Sequence, residues 1–322
     1  MRILTVIVNY RSAPLTIACL RSLATERSLV PGLEVVVVEN DSGDDSAATL
    51  QAAVAENGWQ EWATIRPMPR NGGFAYGVNA GVQPGLASTP PFDAFWLLNP
   101  DTYVRPRALA ALVDFLRDHP EASMVGSRLE DADGSPQHSR FRFPNLANEF
   151  GDAVRLGPVG RLIGDRATCP PFTEQPHEID WLSGASMLVR REVFERTGPF
   201  DEGYFLYFEE LDFCRRAHAL GYRCFYVPAS RVVHLVGQST GVTVRDRRPG
   251  RTPSYWFESR SRYLRKFHGR FYKFVKDLAC VGGHLVHQTL RVLRRRPDTD
   301  PPHFLRDFVS HNFGARRAGG TS

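Results

Sequence analysis

Three acids fall within four residues, Glu209, Glu210 and Asp212, in a stretch that turns basic at Arg215-Arg216. Tyr204, Phe205, Tyr207 and Phe208 come just before them. Aromatic neighbours withdraw water from a carboxylate and raise its pKa, which suits a general base. On a helix Glu209 and Asp212 share a face, while Glu210 points about 100° away from Glu209. That spacing predicts different roles for them. The plainer alternative is a helix with acids first and bases later, complementing its macrodipole. Asn99-Pro100-Asp101 ends an apolar run. A carboxylate beside an amide oxygen is a hard-oxygen site for Mg²⁺ or Mn²⁺, ions that complete their shell with water and substrate phosphates. The same tripeptide also makes a good turn. Glu39-Asn40-Asp41-Ser42 ends another apolar run. It can accept hydrogen bonds from a base or ribose, or simply cap a helix. His234, after Val232-Val233, is a candidate third ligand near a metal carboxylate.

Hydrophobic periodicity gives the elements that must position these groups. Ile3–Val8, Val35–Val38, Phe95–Leu98, Met124–Leu129, Ala185–Val189 and Cys224–Val227 read as strands. Val35–Val38 is apolar throughout, as a strand covered on both faces must be. Helices are expected over Pro14–Ala24, Ser46–Glu56, Gly73–Gly81, Arg107–Asp118, Arg191–Thr197 and Phe205–Leu220. The alternation predicts an α/β fold, a doubly wound and mostly parallel sheet with flanking helices. Such sheets bind ligands outside the carboxyl ends of their strands. Residues 130–180 are rich in Pro and Gly and read as a long loop region over a site. A domain is expected over 1–240, with a polar boundary near Arg245–Pro253. A basic, largely helical extension follows over 241–322, its helix Ser254–Leu293 broken near Gly282-Gly283 and its end loose from Arg294.

With 322 residues, 42% hydrophobic and 23% charged, the chain is neither disordered nor collagen-like. Its apolar runs fall short of the roughly 20 residues of a membrane span, and no signal peptide is expected. Five scattered cysteines without a C-x-x-C pair argue against a disulfide framework, so a cytoplasmic setting is expected. Charge is uneven. Residues 1–240 carry 22 Arg against 29 acids, net −7, and residues 241–322 carry 18 Lys and Arg against 6, net +12. An acidic body needs a cation to hold an anionic substrate, and a basic tail suits a polyanion or an anionic membrane surface. The plainer reading of the tail is a solvated or packed basic helix. Asn9-Tyr10-Arg11-Ser12 after the first strand lacks glycine, and no G-x-x-x-x-G-K occurs, which disfavours NAD enzymes and P-loop NTPases.

In order, these blocks resemble the family 2 inverting glycosyltransferases of GT-A fold, in particular their rhamnosyltransferase-like branch. The matching residues are Val6–Tyr10, Val35–Ser46, Arg70–Ala75 with Asn79–Gly81, Leu97–Asp101, Ser183–Leu188, Gly198–Glu202, Tyr207–Cys214 and Pro228–His234. The resemblance spans about residues 3–240 and rests on the order of eight individually weak blocks. It implies a nucleotide-sugar donor held by Val8, Asn9, Tyr10, Glu39, Asn40, Ser42, Asn71, Gly73, Phe74, Asn79 and Asn99. It implies a divalent cation, Mn²⁺ or Mg²⁺, met by Asp101 and approached by His234. Glu210 aligns with the catalytic base, beside Glu209 and Asp212. Trp181, Gly184 and Ala185 would line the acceptor side. Three residues depart from the family pattern: Glu39 and Glu210 stand where Asp is usual, and Asn99 replaces the first Asp of an Asp-x-Asp motif.

The implied reaction moves a sugar, from dTDP-rhamnose or a UDP-sugar, to a glycan or polyprenyl-diphosphate-linked acceptor at the inner face of the plasma membrane. Trp256, Phe257, Tyr263, Phe267, Phe271, Tyr272 and Phe274, interleaved with Arg260, Arg262, Arg265, Lys266, Arg270, Lys273 and Lys276, suit a membrane interface. A nucleotidyltransferase and a non-catalytic nucleic-acid-binding protein are the rival classes. The first lacks its glycine-rich loop, and the acidic body argues against the second, so no nucleic-acid partner is expected.

Overall fold

Alternate side chains of the first strands go to opposite faces of one sheet, and both faces are buried. In a computed structural model that describes residues 1–145, 168–235, 250–295, 297–298 and 300–314, β1 (Ile3–Asn9), β2 (Leu33–Glu39), β3 (Ala63–Pro67) and β4 (Ala94–Leu98) run parallel. Ile3, Ile7, Val35 and Val37 join one apolar core with α1 (Ala13–Glu26), α2 (Ser46–Glu56) and α4 (Ala108–Asp118). Leu4, Val6, Val8, Val36 and Val38 join a second core with α3 (Gly73–Leu86), α5 (Arg191–Thr197) and α6 (Glu209–Ala219). This is why Val35–Val38 has no polar alternation: neither side of β2 meets water.

The sheet continues through β10 (Ser186–Arg190), β6 (Ala122–Glu130), β11 (Arg223–His234) and β5 (Thr102–Val104), with β8 (His177–Ile179) pairing β11. Six of the nine strands run one way; β10, β5 and β8 run against them. The fold is therefore the mostly parallel, helix-flanked sheet expected.

Several details differ from the expectation. Strands β3, β5, β8 and the pair β7 (Arg140–Phe141) with β9 (Trp181–Leu182) are two to five residues long and carry too little periodicity to read. They also give order to part of the expected loop 130–180, of which 146–167 lie outside the described residues. Strand β11 runs on to His234 instead of ending at Val227, its register shifting between Val227 and Arg231 around Pro228. Proline cannot donate to a ladder, so a bulge absorbs it. Helix α6 starts at Glu209, not Phe205, because Tyr207 and Phe208 hold φ of 69° and 71°. Helix α3 lies close on β1, since a Cβ at Gly77 or Gly81 would meet Val8 or Val6 at 2.6 and 2.4 Å. That close approach brings its N-terminus to the strand tips.

The described residues form two compact units, one of this sheet and its helices, the other of Pro144 and Asn145 with the residues from Gly250 onward. The boundary expected at 240 lies outside the described residues. In the second unit α7 (Ser254–Leu293) packs on α8 (Phe304–Phe313) through Phe257, Cys280 and Phe308. Arg260 and Lys273 both meet Asp277, the first at 2.5 Å. The helical break falls at Gly269 (φ 80°, ψ 173°), not at Gly282-Gly283, and α8 occupies a stretch expected to be loose. Phe257, Tyr263, Arg260 and Lys276, expected in a membrane interface, are buried in the protein.

Candidate active site

Register brings the candidate groups to one edge of the sheet. Asn9 pairs with Glu39 and Ser186 with Leu98, so the ends of β1, β2 and β4 and the start of antiparallel β10 lie together. His234 pairs with Thr102, which brings the end of β11 to Asp101.

At the β1 and β2 tips the polar residues bond to one another. The Asn40 N–H donates to the Asn9 carbonyl at 2.9 Å. Asn9 Oδ1 accepts from Ser12 at 3.1 Å and Thr16 at 2.8 Å, tying the tip to the start of α1. Glu39 Oε1 accepts from the Ser42 N–H at 2.9 Å and also from its hydroxyl. Ser42 Oγ accepts the Arg11 N–H at 2.9 Å. Asn40 Nδ2 donates to Asn71 Oδ1 and the Gly73 carbonyl, both at 3.0 Å, and Asn71 Oδ1 also accepts the Gly73 N–H. Two buried atoms, Asn9 Nδ2 and Asn40 Oδ1, have no partner in the protein and keep a donor and an acceptor for a ligand. Val8 is core, and Tyr10 is half-buried with the Arg11 guanidinium 5.2 Å from its ring centre.

Gly73 joins this tip to the acid cluster. Its φ is +86°, and a Cβ there would sit 2.1 Å from the Phe205 carbonyl oxygen, which accepts the Phe74 N–H at 2.8 Å. Only glycine fits. From Phe205 the chain passes through the two left-handed residues into α6. Phe74, Gly184 and Glu210 then converge: a Cβ on Gly184 would lie 3.4 Å from the Phe74 ring and 3.6 Å from Glu210 Oε1.

The three acids have separate environments. Burial pushes Glu209 well above the ordinary 4.5, and the neighbouring Glu210 charge adds to it. Burial also raises Glu210, and the N–H groups of Glu210 and Gly184 and a hydrogen bond from Glu209 offset only part of that rise. Glu209 is pushed further up than Glu210, so a proton shared by the pair rests on Glu209. Oε2 of each is buried without a hydrogen-bond partner. Asp212 stands apart from the pair in its bonding. Its oxygens take the Tyr204 hydroxyl at 3.0 Å and Arg216 Nε at 2.6 Å, and Arg216 reaches on to the carbonyls of Thr197 and Pro199. Asp212 positions the α6 start. The sequence offered Arg216 only as part of a basic run and Tyr204 only as an aromatic flank, although the i, i+4 spacing of Asp212 and Arg216 was there to read. Asn79 plays a similar part: its amide donates to the Phe200 carbonyl and Glu202 and accepts the Phe200 N–H, each at 2.9 Å.

Around β4, His234 Nε2 lies 3.4 Å from both Asp101 Oδ1 and Asn99 Nδ2. The Asn99 N–H donates to the Ala185 carbonyl at 3.1 Å, linking this corner to Gly184 and Ala185 just before β10. Gln137, unmarked in the sequence, accounts for the His234 backbone by donating to its carbonyl at 2.8 Å. Among the described residues no cluster of three or more His, Cys, Asp or Glu could hold an ion alone. One carboxylate, one imidazole and one amide fit a divalent cation whose other ligands are substrate phosphates and water. Cys19, beneath Asp101, is no nucleophile: burial raises its thiol to about 12. Trp181 stacks on Phe141 with centroids 4.3 Å apart and donates from its ring nitrogen to the Arg142 carbonyl at 3.1 Å.

Known proteins resemble this chain in sequence and in fold. The chain is 34% identical over 230 residues to the N-acetylglucosaminyl-diphospho-decaprenol L-rhamnosyltransferase of Mycobacterium tuberculosis, covering 68% of this chain and 71% of that protein. It is 46% identical over 167 residues to the rhamnosyltransferase WbbL of Escherichia coli, covering 50% of this chain and 60% of the other. The fold is that of the mannosyltransferase PcManGT of Pyrobaculum calidifontis, solved with GDP-Man and Mn²⁺, at TM-score 0.56 and 16% identity over 91% of this chain and 75% of that one. The profile described as "Glycosyltransferase like family 2" matches residues 2–269. A sheet edge with these groups, and a sequence matched along most of its length, make the chain a member of glycosyltransferase family 2, a GT-A-fold enzyme with rhamnosyltransferases among its relatives.

Proposed function

We propose that this protein is an inverting transferase that moves a sugar from a nucleoside-diphosphate donor to a hydroxyl of a glycan or polyprenyl-diphosphate-linked acceptor in cell-envelope polysaccharide synthesis. It works at the inner face of the plasma membrane, with dTDP-rhamnose or a UDP-sugar as donor. The observation that carries the reading is Glu210, a half-buried carboxyl beside Gly184 whose Oε2 is buried without a hydrogen-bond partner. The relatives supply the acceptor class: the mycobacterial one is named for a diphospho-decaprenol substrate.

The chemistry follows from placement. The β1 and β2 tips hold the nucleoside against the spare atoms of Asn9 and Asn40. The acceptor hydroxyl approaches past Gly184, where a side chain would obstruct it. Glu210 accepts its proton as the new oxygen–C1 bond forms, while the bond from C1 to the diphosphate oxygen breaks on the opposite face. The nucleoside diphosphate leaves with that electron pair, and the anomeric configuration inverts. Asp101, with His234 and Asn99, would hold the divalent cation, which supplies charge neutralisation for the diphosphate. Glu209 keeps its proton and donates it in a hydrogen bond to Glu210.

The test is calorimetric titration of the full chain with dTDP-rhamnose, UDP-GlcNAc and GDP-mannose, with Mn²⁺ or EDTA, followed by transfer to a synthetic diphospho-polyprenol glycoside. Binding of one donor and a product of inverted configuration by NMR are expected. Folded protein that binds no donor, or a product of retained configuration, overturns the reading.

A further inference from the structure

The second half of α7 shows one uncharged face to solvent. After the break at Gly269 the helix runs unbroken from Arg270 to Leu293. Between Phe271 and Leu293 the exposed residues are Phe271, Phe274, Leu278, Leu285, Val292 and Leu293, with Val286 and a single hydroxyl, Thr289. Phe271 is 82% exposed, Val292 65% and Leu293 74%. At about 100° per residue these positions fall within an arc of roughly 120° along some 33 Å of helix. The charges of the same segment turn elsewhere. Lys276 and Asp277 are buried, Lys273 is held by Asp277 and Asn312, and Arg291 by Gln288. Phe313 of α8 extends the face, its ring 6.0 Å from that of Phe274.

Cations bracket the face at both ends. Arg265, Arg270 and Lys273 share a cleft of about 440 Å³ with Phe274 at one end, against the single carboxylate of Asp277. Arg294 and Arg295 follow Leu293 directly and are exposed. No described helix is long and apolar enough to cross a membrane. A hydrocarbon stripe between two cationic ends, too polar around its girth to span, matches a surface that is apolar beneath and anionic on top.

We infer that this face of α7, Phe271 to Leu293, lies in the plane of an anionic lipid surface, with the aliphatic and phenyl groups below the headgroups and the flanking arginines on lipid phosphates. The inference deepens the membrane setting of the proposed function and rests on it, but not on the identity of the donor. It also relocates the contact: the aromatic and basic residues nearer Trp256 that suit an interface by composition are in part interior, and the exposed face lies further along the helix.

The test is flotation of the full chain with vesicles of phosphatidylcholine alone or with one third phosphatidylglycerol, read beside donor binding in the absence of vesicles. The chain is expected to float with the anionic vesicles and to release as salt rises. The triple substitution Phe271→Ser, Leu285→Ser, Val292→Ser touches only exposed positions, and should lower vesicle binding by at least about tenfold while leaving donor binding unchanged. Arg294→Glu with Arg295→Glu should reduce binding to anionic vesicles only. A chain that binds donor but ignores anionic vesicles overturns the inference and leaves the transferase reading standing. So does a serine variant that floats like the parent. A dimer in light scattering that the serine variant dissolves, with no flotation, assigns the face to a second copy and equally overturns it. Vesicle binding without donor binding would strike the transferase reading instead.

Discussion

At the tips of β1 and β2, the one buried carboxylate, Glu39, takes two hydrogen bonds from Ser42, and Asn9, Asn40 and Asn71 are cross-linked by amide contacts near 3 Å. At the start of α6, two adjacent carboxyls, Glu209 and Glu210, each keep a buried oxygen that no hydrogen bond reaches. The first region is organised before any ligand arrives, which suits binding. The second sets carboxyls where burial disfavours their charge, which suits a base that must take a proton. The two sit on one sheet edge and are joined at Gly73. Replacing Glu210 with Gln, which has the same size and no basic oxygen, should break the second region alone. Turnover should fall by about 10²–10⁴, while calorimetry finds donor affinity unchanged. Retained turnover would move the base elsewhere in the site.

The joint should be the next most sensitive point. Gly73→Ala introduces a Cβ where the Phe205 carbonyl oxygen already stands, at a φ that L-residues avoid. Either α3 or the segment entering α6 must shift. A stability loss of about 2–3 kcal/mol in urea unfolding is expected, with turnover and donor binding both impaired. A variant that loses turnover but binds donor normally would show that the strand tips do not depend on the joint. Within the first region, Ser42→Ala removes the Ser42 hydroxyl from Glu39 and the acceptor from the Arg11 N–H. Donor affinity should weaken several-fold, near 1 kcal/mol, with the chemical step nearly unchanged.

Legibility in the sequence followed the physics of each region. The strand tips were readable because β1, β2 and β4 are apolar on both faces and stop abruptly at polar residues. The acid pair was readable from its aromatic flanks. Asp212 was grouped with Glu209 by helical phase, yet it is bonded to Tyr204 and Arg216; phase gives the face of a helix but not the partner waiting there. The break in α7 was placed at Gly282-Gly283, where Gly283 is buried and helical, whereas Gly269 takes a positive φ. Two glycines can mark close packing as readily as a bend, and only the tertiary neighbour decides. The short strands β5, β7, β8 and β9 depend on pairing with distant residues, which local periodicity does not carry.

The smallest effects should come from Glu209, and they test the acid pair most finely. Its folded pKa lies above the ordinary 4.5, because burial and the Glu210 charge both disfavour ionisation. Folding then takes up a proton, so the stability the group contributes is fully present below 4.5 and declines as pH rises toward the folded value. Gln has no proton to lose. Glu209→Gln should therefore match the parent in acid and melt a few degrees higher at about pH 8, the gap opening only as pH rises through that window. Its amide can still donate to Glu210, so the acid limb of kcat/KM should stay in place and turnover within a few-fold of the parent. Glu209→Leu removes the donor that holds Glu210 down. Its acid limb should move to higher pH, with donor affinity again unchanged. A limb that moves equally in both variants would mean that Glu209 acts on Glu210 through its volume and not through its proton, and the division of labour within the pair would fall.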